Sequence, residues 1–599
     1  MNAPDKNIPA VKSIEQLIES SIESIANVMR NGNPIALATS FGKDSSAVTI
    51  VMISAAIRVK SEGIEPLILA MFGDTFVENP ENLNYAMKEM DKLQSWAETH
   101  QINLTSHVAK PSMASAFPLR VIGGRALPSF PGTNHDCSQS YKIDPARKLR
   151  KQLLGAFSKN SLPAVTLLGT RFEESEARAR RMNERGDSDA TPVKNKDGEL
   201  VLSPIALWTT DEVWEVLAMA GAGSILSYSD FQDTFRLYAD AGGTSCAVVS
   251  DALMSARPKT GCGARQGCHV CVAVSSDASM ENFIAGDERY AYMKHLNNIR
   301  NFIAATRWDM SRRLWIGRTI KDGYIAIGPD VYSPNMMREL LRFYLTADKL
   351  ERIRAYKANE APKFEVIPMT TLVGIDAMWS LQAYHKPHSA VMDWIEINQH
   401  GKCYYAPENM PVSIRPPSMP KTKYLYVGEE WIERHPYDAK RVSSADGLRN
   451  IALEMANGGE NISGCMGTRL LSNGNTVLDV EISQSFDVDE DGAFDAMYFF
   501  EDDMIEKYQN SNGKTGLTQG YQFWIQMGTI ALSPQQVSKH DEILKRSRFK
   551  ERNGLSGADY NLQEILSRCV DEREVSQRIK ETLAADKPEY VQFELINVH

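Results

Sequence analysis

Ile14, Leu17, Ile18, Ile22, Ile25 and Met29 recur at three- and four-residue spacing, which predicts an amphipathic helix over residues 13–30. The pattern then changes. Residues 34–38 form a short apolar run, 39–46 a polar glycine-containing loop, and 47–59 a segment apolar enough for a packed helix. This strand, loop and helix begin a series: runs at 66–72, 103–108 and 164–169 predict further strands, and 81–98 a further helix. Asp144 and Pro145 supply the cap and first-turn signals of a helix over about 146–156. Short apolar strands alternating with helices imply an α/β fold, a parallel sheet covered on both faces.

The periodicity stops over 240–274, a stretch rich in Gly and Cys, and helical spacing resumes over 279–308 and 334–356. Beyond 360 the chain reads as an α+β extension. Residues 423–431 are strand-like, 468–482 predict two strands joined around Asn473 and Gly474, and 534–548 and 562–584 predict helices. The expected division is an N-terminal helix over 1–30, a nucleotide domain over 31–240, a Cys-rich and helical segment over 241–355, and a C-terminal domain over 360–599.

The loop Ser40-Phe41-Gly42-Lys43-Asp44-Ser45-Ser46 lies between a predicted strand and a predicted helix. Unpaired N–H groups at a helix start carry the positive end of its dipole, so such a turn cradles an anion. Lys43 adds a charge, and Ser40, Ser45 and Ser46 add hydroxyl donors. The second Gly followed by Lys and Ser or Thr is missing, so this is no Walker A loop. A plain polar loop capped by Asp44 or Ser45 is the competing reading.

The loop resembles the pyrophosphate-binding PP-loop of ATP pyrophosphatases, Ser-Gly-Gly-x-Asp-Ser, with Phe41 in place of the first Gly. Three further segments resemble the phosphoadenylyl-sulfate (PAPS) reductase branch of that superfamily. They are Gly73-Asp74-Thr75 with Glu78-Asn79-Pro80-Glu81, Gly169-Thr170-Arg171 with Glu174, Ser175 and Arg178, and Leu202-Ser203-Pro204-Ile205 with Trp208, Thr209 and Trp214. The resemblance implies an adenine-nucleotide α-hydrolase-like fold, with Ser40, Gly42, Lys43, Asp44, Ser45, Ser46, Asp74, Ser175 and Arg178 binding ATP and Mg2+. Lys43, Asp44 and Arg171 are the expected catalytic residues. Asp74 follows a strand's C-terminal end, where open α/β sheets bind ligands. Arg171 and Arg178 offer forks for phosphate oxygens, although the acidic residues around them also suit a solvated ion-paired face. Trp208 and Trp214 are read as core.

Cys246, Cys262, Cys268 and Cys271 fall within 26 of the 599 residues, and half of the eight Cys are therefore clustered. Cys268 and Cys271 flank one tight turn, and four thiolates suit either structural zinc or an iron-sulfur cluster. The stretch around Cys262-Gly-Ala-Arg265-Gln-Gly267-Cys268-His-Val-Cys271, with residues 277–342, is similar to the DndC family of DNA phosphorothioation proteins. That resemblance covers residues 30–345. It implies a [4Fe-4S] cluster on the four Cys, cleavage of ATP to AMP and pyrophosphate, and replacement of a non-bridging DNA phosphate oxygen by sulfur. The implied partners are DNA, a cysteine desulfurase and other proteins of a Dnd- or Ssp-type antiviral system. Cys137, close to Lys142 and a helix start, is a candidate for carrying sulfur, because nearby positive charge favours a thiolate.

Charge refines this reading. The net charge of −10 argues against a uniformly basic nucleic-acid binder, but residues 1–350 carry 39 basic and 39 acidic side chains, and 351–599 carry 27 and 37. Between Lys110 and Arg185 there are 14 Lys or Arg against six Asp or Glu, and Arg147, Arg150 and Lys151 share one predicted helical face. No apolar run approaches the ~20 residues of a membrane span, and residues 1–10 show no secretory signal, so a cytoplasmic protein is expected. Asp487, Asp489 and Asp491 imitate a calcium loop, but Tyr498 stands where a bidentate Glu is required. Two other functions compete. One is an adenylyl-sulfate-type reductase, weakened by a chain ending without the Glu-Cys-Gly context. The other is a non-catalytic zinc module that binds nucleic acid.

Overall fold

The computed structural model describes residues 12–131, 136–155, 162–242, 267–412, 416, 418–431, 443–444, 466–470, 476–480, 486–557 and 560–585. Two compact units are present, each assembled from separate stretches of chain. Unit 1 comprises Met1–Ser112, Ser129–Arg300 and Glu351–Phe364; unit 2 comprises Met113–Pro128, Asn301–Leu350 and Glu365–His599.

Unit 1 is built on six strands: β1 (Ile35–Thr39), β2 (Ile68–Gly73), β3 (Leu104–Ala109), β4 (Val165–Leu167), β5 (Val193–Lys194) and β6 (Leu200–Leu202). Their order is β3-β2-β1-β4-β6-β5, parallel throughout except for the antiparallel β5–β6 pair. From β1 the chain builds outward on one side through β2 to β3, then crosses to the other side of β1 to make β4. That reversal opens a crevice beyond the C-terminal ends of β1 and β4, the place where doubly wound sheets hold ligands. Register brings the ends together, with Thr39 opposite Phe72 and Leu37 opposite Leu167.

The helices follow from the sequence pattern. α1 (Ile14–Arg30) has a Ser13–Gln16 capping box and buries Ile18, Ile22, Ile25 and Met29. α2 (Lys43–Ser61) is apolar on nearly every side and is buried along its length, as a helix without a polar face must be. α3 (Pro80–Thr99) begins with Asn79 capping Glu81 N–H and Pro80 in its first turn. α4 (Asp144–Gly155), α5 (Glu176–Arg185), α6 (Thr210–Gly221) and α7 (Gln232–Gly242) complete the cover. Trp208 is core as expected, and Trp214 packs, partly buried, against the same cluster.

In unit 2, β7 (Ile316–Lys321), β8 (Tyr324–Ile327) and β9 (Lys423–Tyr426) form an antiparallel sheet whose core includes Ile316, Ile320, Ile325, Leu425 and Phe549. The two strands expected around Asn473 and Gly474 are β10 (Met466–Leu470) and β11 (Thr476–Val480), paired with Thr468 opposite Leu478. β12 (Phe486–Val488) pairs with β13 (Ile530–Leu532), and Asp489 caps the next helix through Gly492 N–H at 2.7 Å. Helices dominate the remainder. The buried helix Met369–Leu381 is fixed by Trp379 Nε1 donating to Ile122 O at 2.7 Å, and by Asp376 accepting from Trp524 Nε1 at 2.8 Å. No helix of the described residues is long and apolar enough to cross a membrane.

The turn from β1 into α2 places a non-glycine residue in the left-handed region. Phe41 has φ +54°, the left-handed region that costs a non-glycine residue about 1–2 kcal/mol. Its ring is fully buried against Phe72 and Tyr228, and burial of a Phe side chain is worth about 3–5 kcal/mol, so packing wins. Phe41→Gly should therefore destabilise unit 1 by about 2 kcal/mol despite relieving the backbone, measured as a lower urea midpoint.

Candidate functional site

The loop between β1 and α2 leaves its helix start without a side-chain cap, Gly42 being the N-cap of α2. Lys43 N–H instead donates to the Tyr238 hydroxyl at 3.2 Å. The serines divide their work: Ser46 Oγ donates to Phe41 O at 3.0 Å, Ser45 Oγ to Gly42 O at 3.0 Å, and Ser40 Oγ lies 3.3 Å from Ser45 Oγ. Ser46 is buried and braces the turn from within, whereas Ser40 is exposed. The Tyr85 hydroxyl adds a second brace, donating to Phe41 O at 3.1 Å.

Asp44 is the electrostatic centre. One oxygen accepts from Arg171 Nε at 2.7 Å, and Lys43 Nζ reaches the two oxygens at 2.9 and 2.7 Å. Arg171 is 1% exposed, and its other donors go to Trp208 O at 3.1 Å, Thr210 Oγ1 at 3.1 Å and Glu173 Oε2 at 3.2 Å. The fork expected to meet phosphate oxygens is thus committed to Asp44 and the segment leading into α6, which makes Arg171 a positioning residue. Lys43 remains at the loop with a carboxylate as its present partner. Close approach completes the arrangement: a Cβ on Gly169 would lie 3.0 Å from Asp44 C and Ser45 N, so the turn after β4 packs directly on the head of α2.

Asp74 follows β2 at the same edge of the sheet. It is 8% exposed, accepts from Phe76 N–H at 2.8 Å, and has Lys110 Nζ at 3.9 Å. Burial raises its carboxyl above the usual range, and the Phe76 N–H and Lys110 pull against that shift. Ser175 caps α5 by accepting from Arg178 N–H at 3.2 Å, and the Arg178 guanidinium is ion-paired with Glu174. Both are engaged at the start of α5. Of the expected basic face on α4, Arg147 pairs with Asp197 and Arg150 with Glu199, each at 2.6 Å, so the β5–β6 hairpin neutralises two of its charges.

Cys246 and Cys262 lie outside the described residues. Cys268 and Cys271 close one turn, with Cys271 N–H donating to Cys268 O at 2.9 Å. The turn is tied to the edge of β2: His269 N–H donates to Val77 O at 2.9 Å, and Glu78 bridges Cys268 as an isolated antiparallel pair. Burial pushes the Cys268 thiol up to about 12, with Glu78 adding to the shift. Two thiols on one turn can supply two of the four thiolates of a bound metal group. His269 is buried and held neutral by desolvation, its pKa lowered to about 4.

Lys142 joins these parts. Its Nζ is 2.9 Å from Glu78 Oε1, and its charge is felt by both Cys268 and the half-buried Cys137. Lys142 thereby links the cysteine turn and Cys137 to the connection that follows β2. Lys142 was expected beside Cys137, whereas two supports escaped the sequence reading: Tyr238 and Arg300. Buried Arg300 donates to the carbonyls of Cys271 at 2.8 Å, Val274 at 2.6 Å and Ser275 at 3.0 Å, fixing the chain after the cysteine turn. A cavity of about 750 Å3 belongs to unit 2 and is lined by residues between Asp503 and Arg552; no expected site residue lines it.

No curated protein matches the chain. Residues 34–223, from β1 through the end of α6, match the family model of the phosphoadenosine phosphosulfate reductase domain, which supports placing this segment in the PP-loop, PAPS reductase-like superfamily and fits a nucleotide-utilising enzyme.

Proposed function

We propose that the protein is an ATP pyrophosphatase that activates a DNA backbone phosphate for sulfur incorporation. The observation that carries the nucleotide part is the uncapped start of α2, with Lys43, Asp44 and Arg171 converging on it. In this reading the β- and γ-phosphates of ATP lie over that helix start, and Asp44, held by Arg171, faces Mg2+ in place of the Lys43 ammonium. Lys43 then turns to the phosphates. A phosphate oxygen of DNA attacks the α-phosphorus, the bond to the β-phosphate oxygen breaks, and pyrophosphate leaves with its charge spread over Lys43 and the helix start.

Sulfur enters at the adenylated phosphate. The terminal sulfur of a Cys137 persulfide, loaded by a cysteine desulfurase, attacks the DNA phosphorus and AMP leaves. A thiol reductant then cleaves the remaining sulfur-sulfur bond, supplying two electrons and leaving sulfur on the DNA. Lys142 holds positive charge beside Cys137. Cys268 and Cys271, with Cys246 and Cys262, would hold a [4Fe-4S] cluster, which supplies one-electron chemistry when bound; zinc on the same thiolates is the alternative. The DNA acceptor, the desulfurase and the other phosphorothioation proteins rest on the sequence resemblance over residues 30–345.

Incubation with ATP and Mg2+ should yield AMP and pyrophosphate; ADP and phosphate overturn the proposal. Asp44→Ala should abolish product with an unchanged circular dichroism spectrum. Arg171→Lys should lower kcat by about 10–100-fold and raise the Mg2+ concentration for half-maximal rate, a shift that loss of packing alone does not produce. Cys137→Ser should still release AMP and pyrophosphate but leave no sulfur on DNA, as read by mass spectrometry of digested nucleotides. Cys268→Ser should lose bound iron in anaerobic preparations, and a wild-type protein holding zinc and no iron contradicts the cluster.

A further inference from the structure

The helix Pro534–Arg552 in unit 2 carries Arg546 and Lys550 one turn apart on the same face. Phe549, between them in sequence, is buried with Ile316 and Ile320 of β7, the strand that also carries Arg318. Lys550 is 3% exposed, yet no carboxylate or hydrogen-bond acceptor among the described residues meets its ammonium. Arg546 is half satisfied: Nη1 pairs with Glu542 at 2.9 Å and the guanidinium lies over the Trp431 ring at 5.7 Å, but Nε is buried with no hydrogen-bond partner. Arg318 pairs with Asp330 at 2.9 Å and donates to the backbone carbonyl of Arg125 at 2.8 Å.

Among the described residues, Arg318 pairs with Asp330 and Arg546 with Glu542, which leaves Lys550 without a counter-ion and Arg546 Nε without a hydrogen-bond partner. Burying such charge without a counter-ion is costly. Desolvation, reinforced by Arg546 and Arg318, lowers the Lys550 pKa to about 8, as expected where an anion is missing. A tetrahedral oxyanion with several acceptor oxygens satisfies ammonium and guanidinium donors together, which a single carboxylate does not.

We propose that Lys550, Arg546 and Arg318 form a phosphate-binding site in unit 2, a second anion site in addition to the loop at the head of α2. The phosphate belongs either to a small phosphomonoester or to the backbone of a nucleic acid, and the two sources separate experimentally. Thermal unfolding of the full chain is followed against inorganic phosphate, with chloride at equal ionic strength as control, for the wild type, Lys550→Met and Arg546→Gln. Phosphate should raise the wild-type Tm progressively, and each variant should need about tenfold more phosphate for the same rise. Lys550→Met should also have the higher Tm in chloride, because an apolar chain replaces an uncompensated charge. Should one variant fail to fold, the other carries the comparison. In a second arm, labelled duplex DNA is titrated at fixed salt. Binding weakened about tenfold by Lys550→Met, with a salt slope reduced by about one, assigns the site to the DNA backbone; unchanged DNA binding with a lost phosphate response assigns it to a small phosphate. A phosphate response that is absent from the wild type, or equal in all three proteins, overturns the proposal.

Discussion

The site is organised around one carboxylate held by two cations. Asp44 is the second residue of a buried helix that has no capping side chain, and Arg171 arrives from the turn after β4 to fix it at 2.7 Å. That contact requires β1 and β4 to be adjacent, which the crossover topology provides, and it requires Gly169 to approach the α2 backbone without a Cβ. Arg171 in turn holds Trp208 O and Thr210, so the entry into α6 is set by the same side chain. The sheet order, the close turn and the start of α6 are all conditions for one geometry at the head of α2.

Electrostatics explains why this geometry suits an exchange of partners. Lys43 neutralises Asp44 at 2.7 Å beside an uncapped helix start. Under the proposed function, an incoming polyphosphate with its cation would offer both residues stronger partners, anion to Lys43 and metal to Asp44, while Arg171 would keep the carboxylate in place. The braces beneath the loop do not take part in that exchange. Ser46 and Tyr85 secure Phe41 O, and Tyr238 receives Lys43 N–H. A rigid floor with an exchangeable upper layer is what binding without large rearrangement requires.

Much of this was legible in the chain. The strand, loop and helix at 34–59, the helix expected over 81–98 and the antiparallel pair of β10 and β11 each carry a local signal strong enough to survive folding, while Asn473 and Gly474 lie outside the described residues. Other features depend on contacts between distant residues. Arg171 reads as a phosphate fork until its partners are seen, and Tyr238 lies 195 residues from the Lys43 N–H it receives. Phe41 departs from the glycine usual at its position, and only its buried ring shows why the left-handed backbone is tolerated. The β5–β6 hairpin had a readable signal in Asp197-Gly198, whose glycine has φ +79°, but strands of two and three residues are too short for periodicity to mark. That hairpin also supplies Asp197 and Glu199, which turn part of the basic α4 face into ion pairs.

The central claim is that the head of α2 holds the pyrophosphate of ATP while a DNA phosphate is adenylated. Isotope exchange tests it most directly. With DNA present and the sulfur donor withheld, labelled pyrophosphate should pass into ATP, because adenylation is then reversible and blocked from going forward; omission of DNA should stop the exchange. Exchange of labelled inorganic phosphate or ADP into ATP in its place, or pyrophosphate exchange indifferent to DNA, would contradict the account.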